Sequence, residues 1–389
     1  MRVMMLNPSF SGDAYTHNLC NALVDQGHDV ELWTGPHFTS CVGHWQDVRY
    51  TAKVAFYRHT QLRAYRGGPL RPLWQSLRGL GHAASMARAV AAASGYDIVH
   101  VQFLPVPAAD VLPLRAMASR APVVYTVHNL FPHGSRRGRL ISTVLQRTYS
   151  AAHHLIAHTE ATVDGLITEF GITPDRISRI PHGNFAHLLP LRDASEPRSL
   201  GLDPEEPPIV LLLGVLRQNK GIDVLIEAAA LLRETHVSFR VIIAGRAHTD
   251  VKALRRLADD RGLSQTVEIR TGALTEPEFA AYLDAAAIVA LPYRTIDQSG
   301  VAAAALTFGR PIVASRIAGL EEYVSASGGG LLVPPDDATA LAHALELLLR
   351  DPETRRLAGA RAAAYARTEL GWDAIATRTS EAYRLAARL

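Results

Sequence analysis

Cysteine is nearly missing from this chain. Among 389 residues only Cys20 and Cys41 carry a thiol. Two are too few for a disulfide framework or a thiolate zinc site, and such usage suits a reducing cytoplasm. Long apolar runs are also missing. PIVLLLGVL at 208–216 falls well short of the roughly 18 residues that a spanning helix needs, and it reads as a buried strand. MRVMMLN opens directly on a strand pattern, without the succession of a cleavable signal. No Asp-x-Asp occurs, which argues against a diphosphate bridged to the protein by a metal ion. The residues after the first strand, NPSFSGD at 7–13, lack the G-x-G-x-x-G turn that cradles a dinucleotide, so NAD or FAD chemistry is set aside. Neither internal repeats nor low-complexity tracts are found. The expectation is a cytoplasmic protein that at most rests on a membrane surface.

What is present is a globular composition, 48% hydrophobic and 20% charged, in a chain long enough for two cores. The net charge of +3 conceals an asymmetry: residues 1–187 carry 17 Lys/Arg against 11 Asp/Glu, and the remainder 23 against 26. The basic half is the one suited to an anionic surface or partner, although +6 is too mild, with no recognised module, to argue for nucleic acid.

Short β-rich runs recur with room for one helix between them. They are Val3–Leu6, Val30–Trp33, Ile98–Val101, Val123–Val127, His154–Ala157 and Ile177–Ile180, then Ile209–Leu213, Phe239–Ala244, Val267–Ile269, Ala287–Leu291, Pro311–Ala314 and Gly330–Val333. Apolar strands alternating with helices give parallel sheets covered on both faces. Two series predict an α/β protein of two doubly wound, Rossmann-like domains, 1–187 and 188–370, facing a cleft at the strands' carboxyl ends. The proline- and charge-rich stretch LLPLRDASEPRSLGLDPEEPP at 188–208 marks the seam, and 371–389 forms a last helix with Trp372, Ile375, Ala376 and Tyr383 apolar.

Two stretches have the makings of an anion site. Ile209–Leu213 runs into LLLGVLRQNKGIDVLIEAAALL, where Gly214 permits a sharp turn and Gly221 opens a helix. Arg217 and Lys220 then hang over the carboxyl end of the sheet, where a fork and a point charge suit a diphosphate. After Ala287–Leu291 comes PYRTIDQSG. A helix starting at Ser299 presents free N–H groups and about half a positive charge to an anion. Asp297 can cap that helix or take sugar hydroxyls, while Ala302–Ala305 are tight packing only. The histidines crowd into the first half, yet His153, His154 and His158 lie on a strand and its exit, where neighbours face opposite ways. They are read as structural or solvated; His128, and after it His100, are the exceptions, and no metal is expected.

The ordered succession LLLGVLRQNKGIDVLIEAA, VIIAG, VEIRTGAL, IVALPY, SGVAAAALTFGRPIVASRIAGLEE and GGGLLVPPDD resembles the C-terminal domain of retaining GT-B glycosyltransferases of family four. SGDAYTHNLCNALVDQGHDVELWT, YDIVHVQF, VVYTVHNL and RIPHGN resemble its N-terminal domain. The resemblance covers nearly the whole chain. It implies a nucleotide-diphosphate sugar as co-substrate, with UDP or GDP expected, no other cofactor, and a final helix that packs back on the N-terminal domain. It implies that Arg217 and Lys220 hold the diphosphate and that Ser11 and Gly12 form a loop approaching it. His128 would line the donor sugar, Ala273 and Leu274 the base, and Gly214, Gln298, Ser299, Gly300 and Val301 belong to the same donor set. The chain departs from the pattern in two places. The family's arginine directly after the strand-end glycine is Val215 here, and its pair of glutamates, two helical turns apart, falls on Ile296 and Ala304, so Asp297 or Gln298 is left to replace the first.

The expected enzyme is a metal-independent, retaining hexosyltransferase-type enzyme acting on a glycan, lipid-linked or natural-product acceptor held by the N-terminal domain. Arg58, Arg63, Arg66, Arg71 and Arg78, interleaved with leucines and Trp74, and RRGR at 136–139 offer a possible contact with anionic lipid headgroups. Rival readings are a sugar-nucleotide epimerase of the same fold and a non-catalytic nucleotide-sugar-binding partner protein.

Overall fold

The computed structural model describes residues 1–8, 13–36, 47–57, 71–131, 138–192, 197, 200–202 and 207–388. It divides into two compact units, Met1–Pro181 with Trp372–Leu389, and His182–Gly371.

The first unit is built on strands β1 (Arg2–Asn7), β2 (Asp29–Thr34), β3 (Thr51–Val54), β4 (Ile98–Val101), β5 (Val123–Val127), β6 (His154–Ala157) and β7 (Ile177–Arg179). They pair in parallel in the order β3-β2-β1-β4-β5-β6-β7. Helices α1 (Asp13–Asp25), α2 (Arg71–Ala92), α3 (Pro107–Ala118), α4 (Arg139–Ala151) and α5 (Glu160–Thr168) provide the crossovers. The central strands have no solvent-facing side: Ile98, Val99, Val101, Val123, Val124 and Leu155 are fully buried. Strand β3 was not expected, because TAKV is exposed along most of its length and has no apolar run to betray it.

The second unit repeats the design with β8 (Ile209–Leu213), β9 (Arg240–Gly245), β10 (Val267–Thr271), β11 (Ala286–Leu291), β12 (Ile312–Ser315) and β13 (Gly330–Val333), in the order β10-β9-β8-β11-β12-β13. Its helices are α6 (Ile222–Arg233), α7 (Val251–Asp260), α8 (Glu276–Ala285), α9 (Gly300–Thr307), α10 (Ala318–Ser327), α11 (Ala338–Arg350) and α12 (Pro352–Thr368). Helix α8 starts on a capping box in which Thr275 and Glu278 satisfy each other's backbone N–H. In both sheets the winding reverses beside the first strand, between β1 and β4 and between β8 and β11, which is where such sheets take their ligands.

The last helix, α13 (Trp372–Ala386), belongs to the first unit. Ile375, Ala376, Ala382 and Tyr383 are buried with Val3, Met5 and Leu19, and Gln26 Nε2 donates to Thr377 Oγ1 at 2.7 Å. The units part after Pro181 rather than at the expected 187/188 seam. The reason is local bonding: Asn184 N–H donates to Leu370 O at 2.8 Å, Asn184 Nδ2 to Ala366 O at 3.0 Å, and Phe185 N–H to Thr307 Oγ1 at 3.1 Å. Ser11, Gly12, residues 58–70 and Arg136–Arg137 lie outside the described residues, as does Cys41. Among the described residues no helix is long and apolar enough to cross a membrane.

Candidate functional site

At the end of β8 the chain turns at Gly214, whose φ of 110° is open to glycine and strained for other residues. Its backbone is hemmed in: a side chain on Gly245 would stand 1.8 Å from Gly214 O. The chain then passes Arg217, makes one 3₁₀ turn over Gln218–Lys220, and enters α6 through Gly221 at φ 61°. A Cβ at Gly221 would meet Pro292 O at 1.9 Å, so the loop after β8 lies directly on the loop after β11.

Arg294 fastens the two loops. Its guanidinium donates to both carboxylate oxygens of Asp223 at 3.0 and 2.7 Å, to Asp336 Oδ1 at 2.6 Å and to Gln218 O at 2.9 Å. Asn219 Nδ2 returns a bond to Thr295 O at 2.8 Å. Planar two-point pairing of this kind fixes orientation as well as distance.

Lys220 Nζ thereby rests 3.6 Å from the centroid of the Tyr293 ring, a cation–π placement. Burial, and then the charge of Arg217, lower the Lys220 ammonium from its ordinary 10.5 to about 7. Neither Arg217 nor Lys220 has a carboxylate partner among the described residues. Two cations held together, one of them desolvated, form a place short of negative charge.

Beneath them Tyr293 is fully buried. Burial raises its phenol, and the nearby Ser299 hydroxyl works against that rise, yet among the described residues Tyr293 Oη makes no bond of hydrogen-bond geometry. Ser299 is 3% exposed and caps α9, its Oγ accepting from Ala302 N–H at 3.2 Å. Val301, on the first turn, approaches Gly214: a Cβ there would lie 3.2 Å from Val301 Cγ2. Gln298 adds a buried side-chain oxygen, Oε1, without a hydrogen-bond partner among the described residues. Asp297 is half-buried, its backbone oxygen pressed against Gly319. Of the two positions where the family pattern has glutamate, Ile296 packs on the core and Ala304 is fully buried in it.

Gly214 is therefore packed on Val301, and Lys220 and Ser299 both meet Tyr293, with Arg217 on the same loop as Lys220 and Gly300 in the first turn of α9. Ala273 and Leu274 follow β10, across β9 from Gly214, with Ala273 exposed and Leu274 half-buried on the core. Tyr293 and Arg294 were missed by sequence reasoning; their one signal is that PYR directly follows a strand. A cavity of about 490 Å³ in this unit, lined by Gly309, Arg310 and Arg355 among others, shares none of these residues.

His128, just beyond β5, lies in the first unit and is 6% exposed. It stacks on Phe103 at 4.1 Å, and its two ring nitrogens lie 2.9 Å from Gln102 Oε1 and 3.2 Å from His158 Nε2. His158, read from sequence as structural or solvated, is thus a direct neighbour of the candidate. Among the described residues no group of three His, Cys, Asp or Glu is placed to hold a metal ion.

Residues 13–183 match the family model described as Glycosyltransferase Family 4, and residues 207–351 the one described as Glycosyl transferases group 1. A D-inositol 3-phosphate glycosyltransferase of Pseudarthrobacter chlorophenolicus is 30% identical over 97% of this chain and 91% of its own length. Its namesake from Kineococcus radiotolerans is 31% identical over 97% and 92%. Among solved structures, sucrose-phosphate synthase from Thermosynechococcus elongatus superposes with a TM-score of 0.73 at 22% identity, covering 99% of this chain and 98% of its own. Anabaena HepE, solved with UDP and glucose, gives 0.73 at 20% identity, covering 98% of each chain.

Proposed function

The chain belongs to the family 4 glycosyltransferases of GT-B fold, and on that premise we propose that it moves a sugar from a nucleotide-diphosphate donor to an acceptor with retention of anomeric configuration and without a metal ion. The observation that carries this reading is the unpaired Arg217–Lys220 pair beside the capped start of α9. A diphosphate supplies the missing negative charge, restores the Lys220 proton, and takes the free N–H groups of the helix.

In the proposed reaction the bond between the anomeric carbon and the β-phosphate oxygen breaks on the face where the acceptor hydroxyl attacks. The acceptor proton passes to the departing phosphate oxygen. The rate rests on electrostatic stabilisation of that leaving group, where removal of one donor typically costs about 10²–10³ in turnover. Gln298 takes over from the absent first glutamate, its partnerless Oε1 accepting from a hydroxyl of the donor sugar.

We assign the acceptor to the N-terminal unit, whose residues 1–181 carry the basic excess. That excess favours an acceptor bearing phosphate, the class to which the D-inositol 3-phosphate in the relatives' name belongs. The test is incubation with UDP- and GDP-sugars and D-inositol 3-phosphate in EDTA, with the product's anomeric configuration read by NMR. Retention without metal supports the proposal, whereas inversion or a strict need for metal contradicts it. Ala304 in the core and Ile296 packed against it, where the pattern has carboxylates, favour one second reading, a donor-binding protein without turnover. It predicts nucleotide binding with no product from any acceptor.

A further inference from the structure

A line of buried polar side chains crosses the first unit from the C-terminal helix to the His128 loop, and the reaction proposed above uses none of its bonds. Tyr383 Oη on α13 lies 2.7 Å from His100 Nδ1. His100 Nε2 lies 2.7 Å from Thr126 Oγ1 and 3.1 Å from the Gln102 amide. The far side of that amide is 2.9 Å from His128 Nε2, His128 Nδ1 is 3.2 Å from His158 Nε2, and His158 Nδ1 is 2.9 Å from Ile180 O. Tyr383, His100, Gln102 and Thr126 are fully buried, and His128 and His158 nearly so.

Donor counting gives this line a direction. A backbone carbonyl can only accept, so His158 carries its proton on Nδ1, and a neutral ring then offers a bare Nε2. That lone pair requires His128 Nδ1–H, which leaves His128 Nε2 bare as well. Only an N–H can face a bare nitrogen, so the Gln102 amide must turn its NH₂ to His128 and its oxygen to His100; the two ends of an amide are alike in shape and the bonding decides between them. His100 then donates from Nε2 and accepts at Nδ1 from the Tyr383 hydroxyl. The reverse amide orientation, with Oε1 toward His128, forces an extra proton onto His128 or His158. It also strands the Tyr383 O–H, which has His100 as its hydrogen-bond partner. A buried imidazolium is costly, and burial holds His100 itself down to about 3.

We infer that Gln102 and His158 are positioning residues that hold His128 as a neutral Nδ1–H imidazole, and that the line to Tyr383 exists to keep it so. The functional half of this inference rests on the reading of His128 as a neighbour of the donor sugar. Positive charge builds on the sugar ring as the diphosphate departs, and an imidazolium there would oppose it, whereas a neutral ring stacked on Phe103 does not.

The experiment is long-range ¹H–¹⁵N NMR of the histidine rings in the full-length protein near neutral pH. Expected are Nδ1–H tautomers at His128 and His158 and an Nε2–H tautomer at His100. A wild-type His128 protonated on Nε2 overturns the assignment without reference to catalysis. Gln102→Glu, whose carboxylate can only accept, should place a proton on His128 Nε2 and lower kcat by about 10-fold or more. Gln102→Met should lose less, and nucleotide-diphosphate affinity should change in neither. A Gln102→Glu protein with charged His128 and full kcat overturns the functional half and leaves the donor site in the second unit untouched.

Discussion

Lys220 Nζ sits 3.6 Å from the centre of the Tyr293 ring, and this contact joins the loop after β8 to the loop after β11 at the reversal of the sheet. Burial at this spot, and then the charge of Arg217, lower the Lys220 ammonium from 10.5 to about 7.

A diphosphate binding there must recharge the lysine. At pH 8 calorimetric titration of UDP or GDP, whichever binds, in buffers of differing ionisation enthalpy should show net proton uptake, with affinity falling as pH rises above 7. Zero exchange or proton release would remove Lys220 from the diphosphate.

The same depressed value predicts a pH profile for stability. Between about 7 and 10.5 the unfolded chain binds the Lys220 proton and the folded chain does not, so stability rises with pH across that window. Denaturant titrations should show this rise in wild type and a weaker one in Lys220→Met. Parallel profiles would contradict the buried, depressed ammonium.

Gly221→Ala tests the contact from the backbone side. Its left-handed φ of 61° and the 1.9 Å approach of Pro292 O leave no room for a methyl group. The left-handed conformation alone costs about 1–2 kcal/mol, and relief of the clash must move Lys220. Expected is a folded protein of lower Tm with nucleotide binding weakened by at least about 10-fold. Unchanged affinity would show that the loop position does not matter.

Gln298→Leu separates sugar from nucleotide. Loss of one hydrogen bond, about 0.5–1.5 kcal/mol, should weaken binding of the nucleotide sugar up to roughly 10-fold while leaving the free nucleotide diphosphate unaffected. An equal loss for both would put Gln298 on the phosphates instead.

The parallel sheets were legible because a strand such as IVLLL at 209–213 is buried on both faces and so shows as an unbroken apolar run. TAKV at 51–54 forms the edge of its sheet with little burial and leaves no such mark. Within the site, Arg217 and Lys220 were readable from their spacing after a strand-end glycine, and Ser299 from its place before a run of alanines. Tyr293 was not, since its importance is its depth beneath Lys220, and depth has no sequence pattern. The Gln102–His128–His158 line was hidden for another reason: parallel pairing of β4, β5 and β6 sets their ends side by side, although the residues are 26 and 30 positions apart.

The most direct test of the donor site is thermal unfolding with UDP, GDP, ADP and dTDP in EDTA, for wild type and Lys220→Ala. Saturation at 100 times the dissociation constant adds about 2.7 kcal/mol of stability. One nucleotide raising the wild-type Tm, with the rise lost in a still-folded Lys220→Ala, is the predicted result. No rise with any nucleotide, or an equal rise in both proteins, would contradict a diphosphate site built on Lys220.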